Sequence, residues 1–344
     1  MKKILLIGRK YEDGLESNFL QTVLKANFDC EILEMFPFKN LANSRILRFF
    51  FKLFANTKTI RAIVEKRIYS HISLSKYELI IFFTPAADYF SAKLVNACKS
   101  KSRFVIAWIL DGPMTLPNTN FVDCDYDSIF LSDRGYLENL RGLTRAEMYP
   151  LSEGCRNIYN SIDDGASNDK VVHFGTLYTT RVIQIEEILK SGLDVDVYSG
   201  DYKPLLELKE KYPTSLQLNG PVFGITRDRV VRKALCVLNL QHPSSIDIIN
   251  YRVFEVIGCG GLIATNGGSA VRRIFEGGGA IIFQTNEELI KELKFVLVNP
   301  EIAREHRKKA LQIASENSLE SRLKEILTIL HSNKAKDTRY ATNG

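Results

Sequence analysis

Short apolar runs alternate with helical stretches along the first half of the chain. The runs have the length and the apolar content of buried strands, and they fall at Lys3–Gly8, Asp29–Leu33, Leu79–Phe83, Phe104–Leu110, Ser128–Leu131 and Glu147–Leu151. Alternation of strand and helix is typical of a parallel sheet that helices cover on both faces. Residues 1–151 are therefore predicted to form a Rossmann-like domain.

The same alternation starts again after a polar stretch. Residues 152–169 lack apolar periodicity, which predicts a linker. Further strands are predicted at Val171–Phe174, Val195–Tyr198, Leu216–Leu218, Val237–Leu240, Leu262–Thr265 and Ala280–Phe283. The pattern predicts an α/β protein with two Rossmann-like parallel-sheet domains facing across a cleft. Residues 170–318 form the second domain, 319–333 a terminal helix that packs back on the first, and 334–344 a polar tail.

Composition agrees with a two-domain protein of the cytoplasm. The chain has 344 residues, more than one hydrophobic core usually supports. Its 45% hydrophobic and 25% charged residues are ordinary for a globular protein. No apolar run approaches the roughly 18 residues of a membrane-spanning helix. The cysteines are scattered without a CxxC pair or zinc spacing, which favours reduced thiols and no metal site.

Positive charge is concentrated in one segment of the first half. Residues 45–76 contain eight Lys or Arg side chains and one acid, Glu65, whereas the whole chain has a net charge of +6. The segment begins with cations mixed among large apolar residues, as in a helix lying on an anionic membrane surface. An ordinary helix with a packed aromatic face has the same pattern, so both interpretations stay open.

Ligands of open α/β sheets bind where strands end and helices begin. The loop Asn266–Ser269 follows an apolar strand and opens a helix, and its Gly267 and Gly268 would let the backbone approach a diphosphate closely. A plain turn explains such a glycine pair equally well.

A pair of acids lies just before this loop. Asp247 and Glu255 are eight residues apart across a predicted helix, Ile248–Ile257, which places them about two turns apart on nearly one face. A carboxylate there could accept hydrogen bonds from ribose hydroxyls, and Arg252 could bind diphosphate oxygens. The alternative is an N-capping Asp247 and a Glu255 paired with a surface cation.

The run Tyr251–Asn266, with the pattern R-x-F-E-x-x-x-C-G, resembles the CgeB-like (spore-maturation-protein-like) glycosyltransferases, which are related to family 4 glycosyltransferases. Other segments resemble the same family in the same order: W-x-x-D-x-P at Trp108–Pro113, Tyr126–Phe130, and the second-domain opening Val172–Arg181. The resemblance covers most of 104–330. It implies a GT-B fold with the nucleotide sugar on the second domain and the acceptor mainly on the first.

The resemblance also implies site residues. Glu255 would hold the ribose of a UDP-, GDP- or dTDP-sugar, and no cofactor or metal is expected. The predicted donor site comprises Gly8, Gly175, Thr176, Arg181, Ser199, Gly200, Lys203, His242, Arg252, Glu255, Gly267, Gly268 and Ser269.

A catalytic base on the acceptor hydroxyl is needed only if the reaction inverts configuration. Asp111 at a predicted strand end is the first candidate and Asp13 the second. Asp247 stands where family 4 enzymes have the first acid of a Glu-x7-Glu motif, so aspartate replaces the expected glutamate there. Retention and inversion therefore both stay open.

Together with the basic segment, the resemblance implies transfer of a sugar to a glycan, a lipid-linked glycan or a protein, in the assembly of cell-surface polysaccharide or a coat. A sugar-nucleotide epimerase of the same architecture and a non-catalytic two-lobed binding protein are the alternatives. Nucleic-acid binding is disfavoured, because the basic segment has no repeated phosphate-contact motif. The pairs Asp123/Asp125 and Asp194/Asp196 are interpreted as solvated surface acids rather than metal ligands, and His173 as a structural or cleft-edge residue rather than a nucleophile or ligand.

Overall fold

The computed structural model describes residues 2–10, 13–34, 58–84, 90–110, 120–162 and 169–342. The chain divides into two compact units. The first unit comprises Met1–Glu153, Ser244–Ile248 and Leu319–Gly344, and the second comprises Gly154–Pro243 and Ile249–Ser318. Neither unit is therefore a single continuous segment.

A six-stranded parallel sheet forms the first unit. Its strands are β1 Lys3–Gly8, β2 Asp29–Glu34, β3 Tyr77–Phe83, β4 Ser102–Ile109, β5 Ser128–Leu131 and β6 Glu147–Pro150, in the order β2-β1-β3-β4-β5-β6. The described helices are α1 Leu15–Lys25, α2 Lys58–Ile72, α3 Ala92–Lys99 and the short α4 Leu137–Leu140. A 3-10 turn, Arg134–Tyr136, directly precedes α4.

The central strands are apolar on both faces, as expected for a sheet that is covered on both sides. One face packs Phe19 edge-to-face against Phe83 and Trp108, with ring centroids 5.8 and 5.5 Å away. The indole N–H of Trp108 donates to the hydroxyl of Ser132 at 3.3 Å and to the carbonyl of Leu151 at 3.2 Å. The largest buried side chain of this core therefore has its polar atom satisfied.

The second unit contains another six-stranded parallel sheet. Its strands are β7 Val171–Phe174, β8 Val195–Tyr198, β9 Leu216–Asn219, β10 Cys236–Asn239, β11 Ile263–Thr265 and β12 Ile281–Ile282, in the order β12-β11-β10-β7-β8-β9. Its helices are α5 Thr179–Lys190, α6 Leu206–Lys211, α7 Gly224–Lys233, α8 Tyr251–Gly258, α9 Ser269–Ile274, α10 Asn286–Val298 and α11 Pro300–Glu316. The fold class predicted from the sequence, with two Rossmann-like parallel-sheet units, is confirmed.

Two later segments of the chain belong to the first unit. The last helix, α12 Leu319–Thr342, is one of them, and its Asn333 side chain hydrogen-bonds to Tyr149 at 2.9 Å. This helix runs on through most of 334–344, where a polar tail was predicted. The other segment is Ser244–Ile248, whose Ser244 carbonyl accepts a 2.7 Å hydrogen bond from the hydroxyl of Tyr136.

Within the described ranges, no helix combines the length and the apolar content that a membrane span requires.

Candidate functional site

The strand order of the second sheet identifies where a ligand would bind. The chain passes from β7 through β8 to β9 on one side and then returns to β10 on the other side of β7. In open α/β sheets the loops at such a switch point lead away in opposite directions, and ligands bind in the crevice between them at the carboxyl ends of the strands. The loop after β7 contains Gly175 and Thr176, and the loop after β10 contains Gln241 and His242.

Gly175 has a backbone conformation that other residues rarely adopt, with a φ of 104°. Its N–H donates to the carbonyl of Tyr198 at 3.0 Å, which continues the pairing of β7 with β8. A Cβ at this position would lie 3.6 Å from Nη2 of Arg252. The glycine therefore allows the chain to turn sharply beside an arginine side chain.

Arg181 joins the two loops of the switch point. From the first turn of α5, its Nη1 donates to the carbonyl of Thr176 at 2.7 Å and its Nη2 to the carbonyl of Leu240 at 2.9 Å. Its guanidinium lies 4.9 Å from the ring centroid of Tyr178, which contacts the His242 ring edge-to-face at 5.3 Å. The predicted site residues Thr176, Arg181 and His242 are thus brought together.

The charge of this region is positive. Burial lowers the pKa of Arg181, and the charge of Arg252 acts in the same direction. Beneath them, His173 is 1% exposed, and burial followed by the charges of the two arginines lowers its pKa to about 3. The imidazole is therefore neutral at physiological pH, and the guanidinium groups of Arg181 and Arg252 repel each other. The prediction of a structural His173 agrees with its burial.

Glu255 is buried between two arginines. One carboxylate oxygen pairs with Nη1 of Arg227, and the other lies 3.4 Å from Nη1 of Arg252. Arg227 also pairs with Oδ1 of Asp228 at 3.3 Å. Glu255 therefore has a buried cation as partner, where the alternative interpretation expected a surface cation.

Sequence reasoning missed Arg227 and Asp228. Both are buried on the same face of α7 as Val231, at the positions where an amphipathic helix carries apolar residues. Charged residues at such core positions are the signal that could have identified them, because buried charges are paired or take part in a site.

A network of amide side chains fixes the start of α8. Asn250 caps this helix, because its side chain accepts from the N–H of Val253 at 3.4 Å. Its amide donates to Asn239 at 3.1 Å, and Asn239 donates to Thr265 at 2.9 Å. The ends of β10 and β11 are thereby tied to the helix that carries Arg252 and Glu255.

The chain is similar to a known protein family in sequence and to solved proteins in structure. Residues 184–328 match a family model described as glycosyl transferase-like. Anabaena HepE, solved with UDP-glucose, superposes with a TM-score of 0.65 at 12% identity over 96% of this chain and 100% of its own. Sucrose-phosphate synthase from Thermosynechococcus elongatus gives 0.69 at 11% identity, over 98% and 100%. No curated protein sequence matches the chain significantly.

The chain has the GT-B fold. The likeness to solved GT-B structures extends over both units, because almost the whole of each chain is superposed. The family match falls mainly in the second unit, from within α5 to within α12. The switch-point residues Arg252 and Glu255 lie inside that match.

The predicted glycine loop has a packing role in this GT-B chain. A Cβ at Gly267 would lie 2.5 Å from Cγ2 of Val271, so the loop packs directly on the first turn of α9. Gly268 precedes the helix in extended conformation, and Ser269 begins it. Contact of these three residues with a phosphate or a sugar stays a prediction.

Residues after β8 form a compact turn beside the switch point. The hydroxyl of Ser199 donates to the carbonyl of Asp201 at 3.0 Å, and the N–H of Lys203 donates to Oδ1 of Asp201 at 3.1 Å. A Cβ at Gly200 would meet open space. The turn after β8 therefore contains the predicted site residues Ser199, Gly200 and Lys203. Their contact with a nucleotide stays a prediction.

Asp247 does not lie on α8, and neither the predicted helix from Ile248 nor an N-capping Asp247 is correct. The helix begins four residues after Asp247, at Tyr251. Ile248 forms an antiparallel bridge with Asp133, and the carboxylate of Asp247 lies 3.9 Å from Nε of Arg134. The acid pair is therefore divided, with Asp247 in the first unit and Glu255 in the second.

The first sheet has its own switch point, between β1 and β3. Gly8 ends β1, and a Cβ there would lie 3.1 Å from Cγ of Glu16 and 3.2 Å from Cβ of Phe83. Asp13 precedes α1 with a φ of 66°, and the β-branched Thr84 after β3 has a φ of 38°, which is strained. Asp111 lies outside the described residues.

Sequence reasoning also missed Glu16, a buried carboxyl at this switch point. It lies in the first turn of α1 and accepts a 3.4 Å hydrogen bond from the N–H of Arg9. Burial raises the pKa of Glu16 despite that hydrogen bond. A polar residue among the apolar positions of the α1 face was the available signal.

The two acid pairs that were considered as metal ligands differ in their surroundings. Asp123 and Asp125 are exposed, and Asp125 pairs with Lys99 at 2.9 Å. Asp196 is buried and pairs with Lys170 at 3.0 Å, so the prediction of a solvated Asp196 was wrong. Among the described residues, no three His, Cys, Asp or Glu side chains are grouped as a metal site requires.

Proposed function

We propose that this protein is a glycosyltransferase that transfers a sugar from a nucleoside diphosphate sugar. The observation that carries the proposal is the pair Arg181 and Arg252, which lie beside the Gly175 backbone at the switch point of the second sheet. Transfer releases a diphosphate, and paired guanidinium groups stabilise the negative charge that develops on it. A bound diphosphate would also remove the repulsion between the two cations.

Glu255 is proposed to bind the ribose of the donor. Arg227 occupies one carboxylate oxygen, which leaves the oxygen beside Arg252 for a ribose hydroxyl. UDP-, GDP- and dTDP-sugars are the proposed donors, with UDP the first to test, because HepE was solved with UDP-glucose. The arginines would supply the charge stabilisation that a metal ion supplies in other transferases, so we propose a metal-independent reaction without a cofactor.

The acceptor is proposed to be a glycan or a lipid-linked glycan that binds the first unit. Helix α2 exposes the apolar side chains of Ile63 and Tyr69, which are 44% and 36% accessible, beside the exposed cations Lys66 and Arg67. Such a mixture fits an anionic lipid surface. We therefore propose a cytoplasmic enzyme of CgeB-like type at the inner face of the membrane, in the assembly of surface polysaccharide or a coat. Residues 45–57 of the basic segment lie outside the described ranges.

A panel of UDP-, GDP- and dTDP-sugars tests the proposal. The wild type should release the nucleoside diphosphate from one of them, and Arg252→Ala should lower kcat/KM by about 10- to 100-fold, because one charge-assisted contact to the diphosphate is lost. Arg229→Ala is the matched control, since Arg229 is exposed on α7.

The outcomes separate the candidate functions. Release of the nucleotide together with a glycosylated product supports the transferase. Conversion of the donor to an epimer without nucleotide release would identify an epimerase, and donor binding without turnover would identify a binding protein. A wild type that binds none of the donors contradicts the proposal.

A further inference from the structure

Five charged side chains form a continuous chain of ion pairs in the second unit, which is buried except at Arg252, whose side chain is 27% accessible. Arg156 pairs with Oδ1 of Asp228 at 2.6 Å, Asp228 pairs with Arg227, Arg227 pairs with Glu255, and Glu255 lies beside Arg252. The side chains of Arg227, Asp228 and Glu255 are between 3% and 7% accessible. Burying several charges is costly unless each is paired, so these side chains are held in one specific arrangement.

Asp228 joins Arg156 to Arg227 in this chain of charges. Its Oδ1 accepts from Arg156 and Arg227, and its Oδ2 accepts from the hydroxyl of Tyr159 at 3.2 Å. Arg227 is consequently held between two carboxylates, those of Asp228 and Glu255. With Arg227 fixed on both sides, the carboxylate of Glu255 cannot rotate without breaking a buried ion pair.

The segment that supplies Arg156 and Tyr159 is itself attached to α8. The N–H of Tyr159 donates to the carbonyl of Gly258 at 3.0 Å. A Cβ at Gly258 would lie 2.5 Å from the carbonyl oxygen of Asn157, so the segment and the helix are in direct backbone contact. The segment therefore contacts both the end of α8 and the buried side chains of Asp228 and Arg227.

We infer that Arg156, Tyr159, Asp228 and Arg227 are positioning residues that orient the Glu255 carboxylate toward the ribose hydroxyls of the donor. The inference rests on the proposed function, because it requires a nucleotide at the switch point. If Asp228 lost its charge, Arg227 would have Glu255 as its remaining carboxylate partner in this chain. The Glu255 carboxylate would then move toward Arg227, and its second oxygen would leave the position that faces the ribose.

Isothermal titration with two ligands tests this inference. One ligand is whichever of UDP, GDP or dTDP binds the wild type. The other is the same nucleotide without the free hydroxyls of its ribose or deoxyribose. The wild type should bind the hydroxylated ligand roughly tenfold or more tightly. Asp228→Asn and Arg156→Gln should reduce that preference severalfold, whereas a purely structural role would weaken both ligands equally and leave the ratio unchanged.

Further variants keep the test decisive. Arg156→Lys should restore part of the preference, and Asp194→Asn, an aspartate outside the chain of charges, should leave it unchanged. Tyr159→Phe removes one hydroxyl and leaves the ring beside Arg232, 4.6 Å from its guanidinium. This variant replaces Asp228→Asn in the test if Asp228→Asn does not fold, and it should also reduce the preference.

The two proposals fail in different ways. If the wild type binds none of the three nucleotides, the proposed function is overturned. If the wild type binds but shows no preference for the hydroxylated ligand, the proposed ribose contact of Glu255 is overturned together with the inference, while the proposed transfer from a nucleotide sugar stands. If the folded variants keep the full preference, the inference alone is overturned.

Discussion

The carboxylate of Asp133 accepts a 2.8 Å hydrogen bond from the backbone N–H of Asp247, 114 residues later in the chain. The same carboxylate accepts from the N–H of Ile246 at 2.9 Å. The carboxylate that accepts these hydrogen bonds is itself buried, since Asp133 is 1% exposed. They attach the segment Ser244–Ile248 to the first unit, although the residues on both sides of it belong to the second unit.

We predict that Asp133→Ala destabilises the protein by about 1.5–3 kcal/mol, because the backbone N–H groups of Gly135, Ile246 and Asp247 lose a buried charged acceptor. Asp133→Asn should cost less, since one carbonyl oxygen remains to accept. Urea unfolding measures both changes. Asp123→Ala is the control at an exposed aspartate of the same unit, and an equal effect of the two alanine variants would contradict the prediction.

Gly175→Ala should lower both stability and nucleotide affinity. The positive φ of 104° makes any Cβ costly by about 1–2 kcal/mol, and the added methyl group would meet Arg252. Gly192→Ala is a matched control, because Gly192 has a φ of 88° with no atom near the added Cβ. Both variants should lose stability, but only Gly175→Ala should weaken UDP binding by titration. Similar weakening in both would argue against a role for Gly175 in the site.

Gly267→Ala should destabilise the second unit through overpacking. The added Cβ would lie 2.5 Å from a methyl group of Val271, a clash that typically costs about 1–3 kcal/mol. Gly200→Ala has open space around its Cβ and should be nearly neutral. Thermal unfolding of the two variants checks this contrast. A neutral Gly267→Ala would show that the loop can move away from α9.

The raised pKa of Glu16 predicts a specific dependence of stability on pH. In the folded state this carboxyl keeps its proton at a higher pH than in the unfolded chain, because burial disfavours its charge. Its contribution to stability is therefore complete below the unfolded pKa of about 4.3 and is lost as pH rises through the folded pKa. Glu16→Gln removes this loss.

Thermal unfolding from pH 4 to pH 8 tests that dependence. The difference in Tm between Glu16→Gln and the wild type should grow in favour of the variant as pH increases. Glu138→Gln, at an exposed glutamate of α4, is the control that should show a constant difference. A constant difference for Glu16→Gln as well would show that Glu16 is ionised without cost.

Local patterns were sufficient for the strands and for the fold class. Val171–Phe174 and Val195–Tyr198 were predicted with the bounds that the structure has. A buried parallel strand is apolar on both faces, so its run is visible without knowledge of its neighbours. The positions of Thr176 and His242 at strand ends follow from the same reasoning, because parallel strands end at a common edge, whereas Arg181 was implied by the family resemblance.

The acid pair shows where local patterns fail. Asp247 and Glu255 have a helical spacing, yet the helix begins at Tyr251, because Asp133 takes the N–H of Asp247 and Ile248 pairs in extended conformation. No residue near Asp247 in the sequence indicates a partner 114 residues away. Long-range hydrogen bonds of this kind depend on which strands become neighbours.

The sequence by itself determined the α/β class, most strand positions and the edge on which the site residues lie, because each depends on the periodicity of neighbouring residues. The tertiary structure alone decided that Arg227 and Arg252 share Glu255, that Asp228 holds Arg227, and that Glu16 is buried beside Gly8. These relationships depend on the distances between elements far apart in the chain, and only the packed sheets and helices set those distances.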